Sequence, residues 1–291
     1  MKNQLKDLIR AGGLVLPGAF NALSAKLIQK LGFKGVYISG AGLNNGAGFP
    51  DIGLLTLTEF ATMARYIARA TDLPCVCDAD TGFGEAVNVS RCVGELEQAG
   101  VAGIHIEDQV FPKRCGHLAG KQLIPVEQMV RKIKTAVLSR KDKNFVIIAR
   151  TDARSAEDFR GAVARARAYA QAGADVIFPE ALKNKGEFAD FARQVRTPLL
   201  ANMTEFGVSP LLNSKELFAL GYKAVIYPMG AFRVMMKASE DFYTSLLNEG
   251  TQASQLGKMQ TREELYALLD YDSYARLDEK AYGGFRKERT K

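Results

Sequence analysis

The sequence has no tryptophan, only two histidines (His105 and His117) and four cysteines (Cys75, Cys77, Cys92 and Cys115) among 291 residues. Two imidazoles make a zinc site poor in candidate ligands, and four cysteines are too few to staple a chain of this length, so free thiols in a reducing compartment are expected. No apolar run approaches the roughly 20 residues that a membrane span needs. The opening MKNQLKDLIRAGG lacks the apolar core of a signal peptide. A cytoplasmic protein with no membrane partner is the expectation. Neither a GxGxxG nor a Walker-type loop follows the first apolar run, which argues against an open nucleotide-binding sheet. Thirty-nine cations against 32 anions leave a net charge of +7, yet the cations are scattered. The one short basic run, Arg286, Lys287, Arg289 and Lys291, reads as a solvated tail, and no nucleic-acid-binding signature is present, so nucleic acid is not an expected partner. The surplus suits small anions instead.

What the sequence does have is alternation. Short apolar or β-branched runs occur at 14–19, 35–40, 74–80, 103–109, 145–153, 175–181, 198–205 and 224–230. Helical periodicity fills the intervals, as in TLTEFATMARYIARAT, VEQMVRKIKTAVLSR, AEDFRGAVARARAYAQAG and FRVMMKASEDFYTSLLN. Glycine closes several helices just before the next strand, in LGFKGV, AGVAGI, AGADVI and LGYKAV, the position where a left-handed cap is needed. Strand–helix alternation means parallel pairing through crossovers, and eight units in this length predict a (β/α)8 TIM-type barrel. No linker interrupts the pattern, so residues 1–291 are expected to form one barrel domain, with 250–291 as a helical C-terminal extension.

Polar residues stand where the predicted strands end: Ser39-Gly40, Asp78 and Asp80, Glu107 and Asp108, Arg150 and Asp152, Glu180, then Asn202, Thr204 and Glu205. A barrel builds its active site at this end. Asp78 and Asp80, two apart on a strand, share a face, and two such close carboxylates repel unless a cation or proton joins them. Oxygen ligands suit Mg²⁺, with Mn²⁺ a possible substitute. Glu107 can complete the set, and Asp51 in GFPDIG is a further candidate. Cys75 and Cys77 should face away from the aspartates, as core residues. His105 shares the face of Glu107 and reads equally as a core histidine or a functional one. Arg150, Asn202, Thr204 and Arg233 at the mouth suit a small polycarboxylate.

PKRCGHLAGKQ, residues 112–122, follows the fourth strand and so can fold over the mouth. Its Cys115 lies among Lys113, Arg114 and His117. Neighbouring positive charge favours thiolate and suits a nucleophile or proton donor.

KRCGH at 113–117 resembles the signature of the isocitrate lyase superfamily. VYISGAG (36–42), FPDIGLLTL (49–57), CDADTGFG (77–84), GIHIEDQ (103–109), VIIARTDA (146–153), IFPEA (177–181), LANMTEFG (200–207), AFRVMM (231–236) and MQTREELY (259–266) follow the same family in order over nearly the whole chain. The resemblance implies a barrel whose eighth helix is exchanged between subunits of a homotetramer. It implies Mg²⁺ at Asp78 and Asp80, with Glu107 and Asp51 nearby. It implies substrate contacts from Ser39, Gly40, Ala41, Cys115, Gly116, His117, Arg150, Glu180, Asn202, Met203, Thr204, Arg233 and Arg262. Ala41 stands where the family often has glycine.

In detail the match is to the branch that splits a methylated isocitrate, a small tricarboxylate of propionate breakdown, into pyruvate and succinate. The implied chemistry is retro-aldol cleavage. A carboxylate or a tyrosine, Tyr37 being the candidate, takes the hydroxyl proton; Arg150 and other donors stabilise developing charge; Cys115 protonates carbon. Three alternatives stay open: isocitrate cleavage, another superfamily reaction such as phosphonomutase or dimethylmalate lyase chemistry, and a non-catalytic dicarboxylate-binding barrel. The short chain and absence of tryptophan favour the methylated substrate, with Phe178, Ile226 and Pro228 expected around the methyl group.

Overall fold

Eight strands form inside the eight apolar runs: β1 (Leu14–Ala19), β2 (Val36–Ile38), β3 (Cys75–Asp78), β4 (Gly103–Glu107), β5 (Val146–Thr151), β6 (Val176–Pro179), β7 (Leu200–Asn202) and β8 (Ala224–Tyr227). The computed structural model describes residues 4–118 and 120–288, with the backbone alone from 283. All pairings between strands are parallel, in the order β6-β5-β4-β3-β2-β1-β8-β7. A single parallel bridge, Ile177 to Leu199, brings the two outer strands together. The result is the expected (β/α)8 barrel.

Helices α1 (Leu5–Ala11), α2 (Ala22–Lys30), α3 (Gly40–Gly46), α4 (Leu57–Arg69), α5 (Ala86–Ala99), α6 (Val126–Ser139), α7 (Ala153–Ala156), α8 (Phe159–Gln171), α9 (Lys185–Gln194) and α10 (Ser214–Ala219) surround or connect the strands. Gly32, Gly100, Gly173 and Gly221 all take positive φ just past α2, α5, α8 and α10, in the cap role their spacing predicts. The helix expected from residue 156 instead starts at Phe159, because Asp158 is extended and its side chain accepts the Gly161 N–H at 2.7 Å. A side-chain cap of that kind ends one helix and begins another.

Side chains alternate between two apolar layers. Leu14, Leu16, Tyr37, Val76, Val146, Ile148, Val176, Phe178, Leu200, Ala224 and Ile226 fill the barrel interior. Their neighbours Ile38, Cys75, Cys77, Ile104, Ile147 and Ile177 pack in the layer shared with the helices. Cys75 and Cys77 therefore turn away from Asp78, as strand periodicity requires. Leu5 and Ile9 of α1 join the interior cluster and close the end where the strands begin. Interior packing at that end leaves the other end of the barrel for polar groups.

The chain divides into two compact units, Met1–Arg233 and Val234–Lys291. α11 (Gly230–Glu249) crosses the division, and a 3-10 turn (Ala253–Lys258), α12 (Arg262–Leu269) and α13 (Tyr271–Glu288) complete the second unit. None of the 20 residues of α11 is buried. Of the basic run near the C-terminus, Arg289 and Lys291 lie outside the described residues. Among the described residues, no helix is long and apolar enough to cross a membrane.

Candidate active site

β3, β4 and β5 place two acidic residues, a histidine and an arginine side by side. The register pairs Asp78 with His105 and Glu107 with Arg150. Asp78, His105 and Glu107 offer ligand atoms all within 4.8 Å of one another, and all three are buried. Asp80 follows in the turn after β3 at φ 45°, a left-handed conformation that aspartate tolerates better than most residues. Its N–H donates to Asp78 Oδ1 at 2.9 Å. Gly40 approaches so near that a Cβ would stand 2.5 Å from Asp78 Oδ2, so residue 40 cannot carry a side chain without moving that carboxylate.

Asp51 and Asp80 converge on Lys113, whose Nζ lies 2.9 Å from Asp80 and also pairs with Asp51. Lys113 was expected to act on Cys115; it bridges two of the predicted metal ligands instead. Burial alone would weaken its hold on the proton, but the carboxylates of Asp80, Glu107, Asp51 and Asp78 push its pKa well up. The same burial raises the carboxyl groups in turn: Asp80 to about 6, with Asp78 and Glu107 also above their ordinary values. Glu107 is 0 % exposed, and no hydrogen bond of good geometry reaches either of its oxygens; the nearest cation, Arg150 Nη1, is 3.2 Å from Oε2. Asp51, Asp78, Asp80, Glu107, Asp152 and Glu180 outnumber Lys113, Lys121 and Arg150 two to one. A buried, hard-oxygen cluster with unsatisfied acceptors and excess negative charge fits a divalent cation.

Tyr37 stands in the barrel interior below this cluster. Its hydroxyl lies 2.8 Å from His105 Nε2 and 3.5 Å from Asp78 Oδ2, and the two rings stack with centroids 5.8 Å apart. Burial, reinforced by the Asp78 charge, pushes the phenol pKa well up, and burial next to Arg150 pushes His105 down to about 3. Both are neutral near pH 7. Of the two readings left open for His105, the structure supports a buried histidine hydrogen-bonded to tyrosine beside the carboxylates.

Arg150 is the hub of the mouth. Asp152 holds it through Nε–Oδ2 at 3.0 Å and Nη2–Oδ1 at 3.1 Å, Glu180 lies 3.7 Å away, and its guanidinium sits 5.2 Å from the Phe178 ring centre. Glu180 in turn accepts from Asn202 Nδ2 at 3.2 Å and faces His117 Nε2 at 2.6 Å. Burial opposes ionisation of Glu180, but Arg150 and His117 more than offset it and hold its pKa well below the usual carboxylate range. Asn202 Oδ1 is buried without a hydrogen-bond partner, an acceptor turned toward no protein donor.

The loop after β4 folds onto this group. A Cβ at Gly116 would meet Arg150 Nη2 at 2.3 Å and Glu180 Cγ at 2.7 Å, so glycine is what allows the Cys115–Gly116 peptide to lie against them. His117 Nδ1 accepts the Val208 N–H at 3.0 Å, linking this loop to the one after β7. That bond leaves Nε2 as the protonated nitrogen facing Glu180. Cys115 is half-buried, whereas the other three cysteines are buried.

The remaining predicted residues are spread more widely. Ser39 caps α3, accepting from Gly42 N–H at 3.2 Å, and contacts Met229 Sδ at 3.5 Å; Ala41 is half-buried beside it. Met203 points its side chain into the helix-facing core, where Sδ accepts from Leu212 N–H, while Thr204 is half-buried. Arg233 is 49 % exposed, 3.6 Å from Glu205 and over the Phe206 ring. Arg262 begins α12 in the second unit and is exposed. Sequence reasoning did not single out Lys121 or assign Lys113 to the acidic cluster; both needed the folded loop.

The barrel and its strand-end carboxylates define an enzyme-like site that fits a divalent metal ion and a small-molecule substrate. The family model described as phosphoenolpyruvate phosphomutase matches residues 5–247. The chain is 50% identical over 275 residues to the 2-methylisocitrate lyase of Aeropyrum pernix, covering 94% of this chain and 89% of that protein. Its structure is similar to that of 2,3-dimethylmalate lyase, with TM-score 0.91, 33% identity and coverage of 96% and 95%. It is also similar to phosphonopyruvate hydrolase complexed with oxalate and Mg²⁺, with TM-score 0.87, 32% identity and coverage of 97% and 99%. The chain belongs to the phosphoenolpyruvate phosphomutase/isocitrate lyase superfamily and, within it, to the group of 2-methylisocitrate lyases.

Proposed function

We propose that this protein cleaves 2-methylisocitrate to pyruvate and succinate in a Mg²⁺-dependent retro-aldol reaction. The observation that carries the reading is the packing of the Cys115–Gly116 peptide on Arg150 and Glu180, beside the unsatisfied carboxylates of the acidic cluster. Asp78, Asp80 and Glu107, with Asp51, would hold the ion. A divalent ion there supplies positive charge that lowers the cost of ionising a substrate hydroxyl.

The chain's own groups do the rest. Arg150 binds a substrate carboxylate, and the free Asn202 Oδ1 with Thr204 orients the hydroxyl-bearing end. Of the two base candidates, a buried phenol with raised proton affinity is suited to donate a hydrogen bond, so Tyr37 orients Asp78 and His105 while a carboxylate takes the hydroxyl proton. The carbon–carbon bond breaks, the alcohol carbon becomes the carbonyl of pyruvate, and the electron pair remains on the carbon next to a carboxylate. Hydrogen-bond donors stabilise that charge. The Cys115 S–H then delivers its proton to this carbon, giving succinate, and solvent restores the thiol. Phe178 and Ile226, both in the barrel interior, with Pro228, shape the space for the methyl group.

The second reading, isocitrate as substrate, differs by that one methyl, a discrimination of about 10–200-fold at most for such a pocket. Coupled assays with 2-methylisocitrate and with isocitrate, each with Mg²⁺ and with EDTA, decide between them. Metal-dependent pyruvate release faster than glyoxylate release is expected. Faster glyoxylate release transfers the assignment to isocitrate, and neither product removes the lyase reading.

The protein is further proposed to work as a cytoplasmic homotetramer that exchanges its eighth barrel helix, α11, between subunits. Val234 is 70 % and Leu247 86 % exposed on that helix, apolar surface of a kind that protein interfaces cover.

A further inference from the structure

Lys121 is a lysine with almost no access to water: its side chain is 1 % exposed, and its partner Asp152 is 0 % exposed. A buried ion pair of this kind is weak support for stability, since two charges lose hydration to form it. Its placement shows what else it does. Nζ lies 2.8 Å from Asp152 Oδ1 and also donates to the carbonyl of Gly116, the residue after Cys115. Asp152 is itself fixed: its N–H donates to Asp108 Oδ1 at 2.9 Å, and Asp108 Oδ2 accepts from Thr151 Oγ1 at 2.8 Å and Tyr169 OH at 2.7 Å. One end of the contact is thus the rigid end of β5, and the other is the backbone of the loop.

We propose that Lys121 and Asp152 form a latch that holds the Cys115 loop closed over the barrel mouth. Lys121 is a positioning residue, and the proposal rests on the reading that Cys115 acts from the closed loop. Each residue flanking Cys115 has its own tether. Gln109 Oε1 accepts the Arg114 N–H and its Nε2 donates to the Arg114 carbonyl, both at 2.9 Å; His117 faces Glu180 at 2.6 Å. The Gly116 tether alone comes from a side chain further along the same loop and ends on Asp152, behind Arg150. Opening the loop must therefore either draw a lysine charge out of its buried pair or break its bond to Gly116. Both are costly, so closure is a two-state event and not a gradual drift.

The test is the alkylation rate of Cys115 with iodoacetamide, read by intact mass on the Mg²⁺-loaded full chain. Cys75, Cys77 and Cys92 are at most 1 % exposed, so the first adduct reports Cys115. Lys121→Met is expected to alkylate about tenfold faster, the factor that one charge-assisted hydrogen bond corresponds to. Loss of a nearby cation would by itself slow the thiol's reaction, so acceleration reports opening. Lys121→Arg is expected to stay within about threefold of the parent, because the cation is kept. In turnover, Lys121→Met should lower kcat with little change in KM. Parent-like alkylation of Lys121→Met overturns the latch. So does acceleration accompanied by adducts on the three buried cysteines, which would mean general loosening, and so does a Lys121→Arg rate equal to that of Lys121→Met. Alkylation needs no turnover, so the latch is decided even if neither tricarboxylate proves to be a substrate.

Discussion

Glu107 is wholly buried, and no hydrogen bond reaches either of its oxygens. In a metal-free protein that arrangement is destabilising, because the surrounding carboxylates already exceed the cations. Glu107→Gln is expected to keep or raise the melting temperature in EDTA while abolishing Mg²⁺-dependent stabilisation and lowering turnover by at least about 100-fold. Differential scanning calorimetry with and without Mg²⁺ checks it. Cys115→Ser is expected to lower kcat by about 100-fold or more with an unchanged melt, since a hydroxyl gives up its proton less readily than a thiol. Asp78, Asp80, Glu107, Arg150, Glu180 and Asn202 were legible from the sequence because strand periodicity and strand ends are local properties. Lys113 was not: its position beside Cys115 suggested that it acts on the thiol, and only loop folding sends its ammonium to Asp51 and Asp80.

At the scale of elements, the two ends of the barrel answer differently to substitution. α1 closes the end where strands begin, with Leu5 0 % exposed among Leu14, Leu16 and Val146. Leu5→Ala is expected to cost about 3 kcal/mol in urea unfolding and to leave kcat unchanged, because the proposed site lies at the opposite end. α7 and α9, which follow β5 and β6, are joined by Arg154 and Glu187 through bonds of 2.8 and 2.7 Å. The Arg154 hydrogen bonds lower the Glu187 pKa from 4.5. A depressed carboxyl pKa means that the pair stabilises the fold above pH 4.5 and loses that contribution as the pH falls through the folded value. Glu187→Gln is expected to cost about 1 kcal/mol at pH 7, and the difference from the parent should shrink in unfolding curves below pH 4.5.

For the molecule as a whole, the proposed assembly can be tested through α11. Leu247→Glu places a charge on a residue that is 86 % exposed and would be harmless on a free surface. If α11 is exchanged between subunits, that charge is desolvated on assembly, and light scattering should show a lower mass than for the parent at equal concentration. A variant of parental mass would remove α11 from the interface.

Alternation of strand and helix, glycine at the helix ends and carboxylates at the strand ends are written in spacing along the chain, so the sequence by itself determined the barrel, its polar end and the acidic cluster. The helix boundary at Asp158 escaped because a side-chain cap competes with helical periodicity there. Tertiary structure alone decided which charges meet: Lys113 with Asp51 and Asp80, Lys121 with Asp152, His117 with Glu180 and Val208. These partners lie up to 91 residues apart. Electrostatic energy depends on distance and burial in space, and neither can be read from separation along the chain.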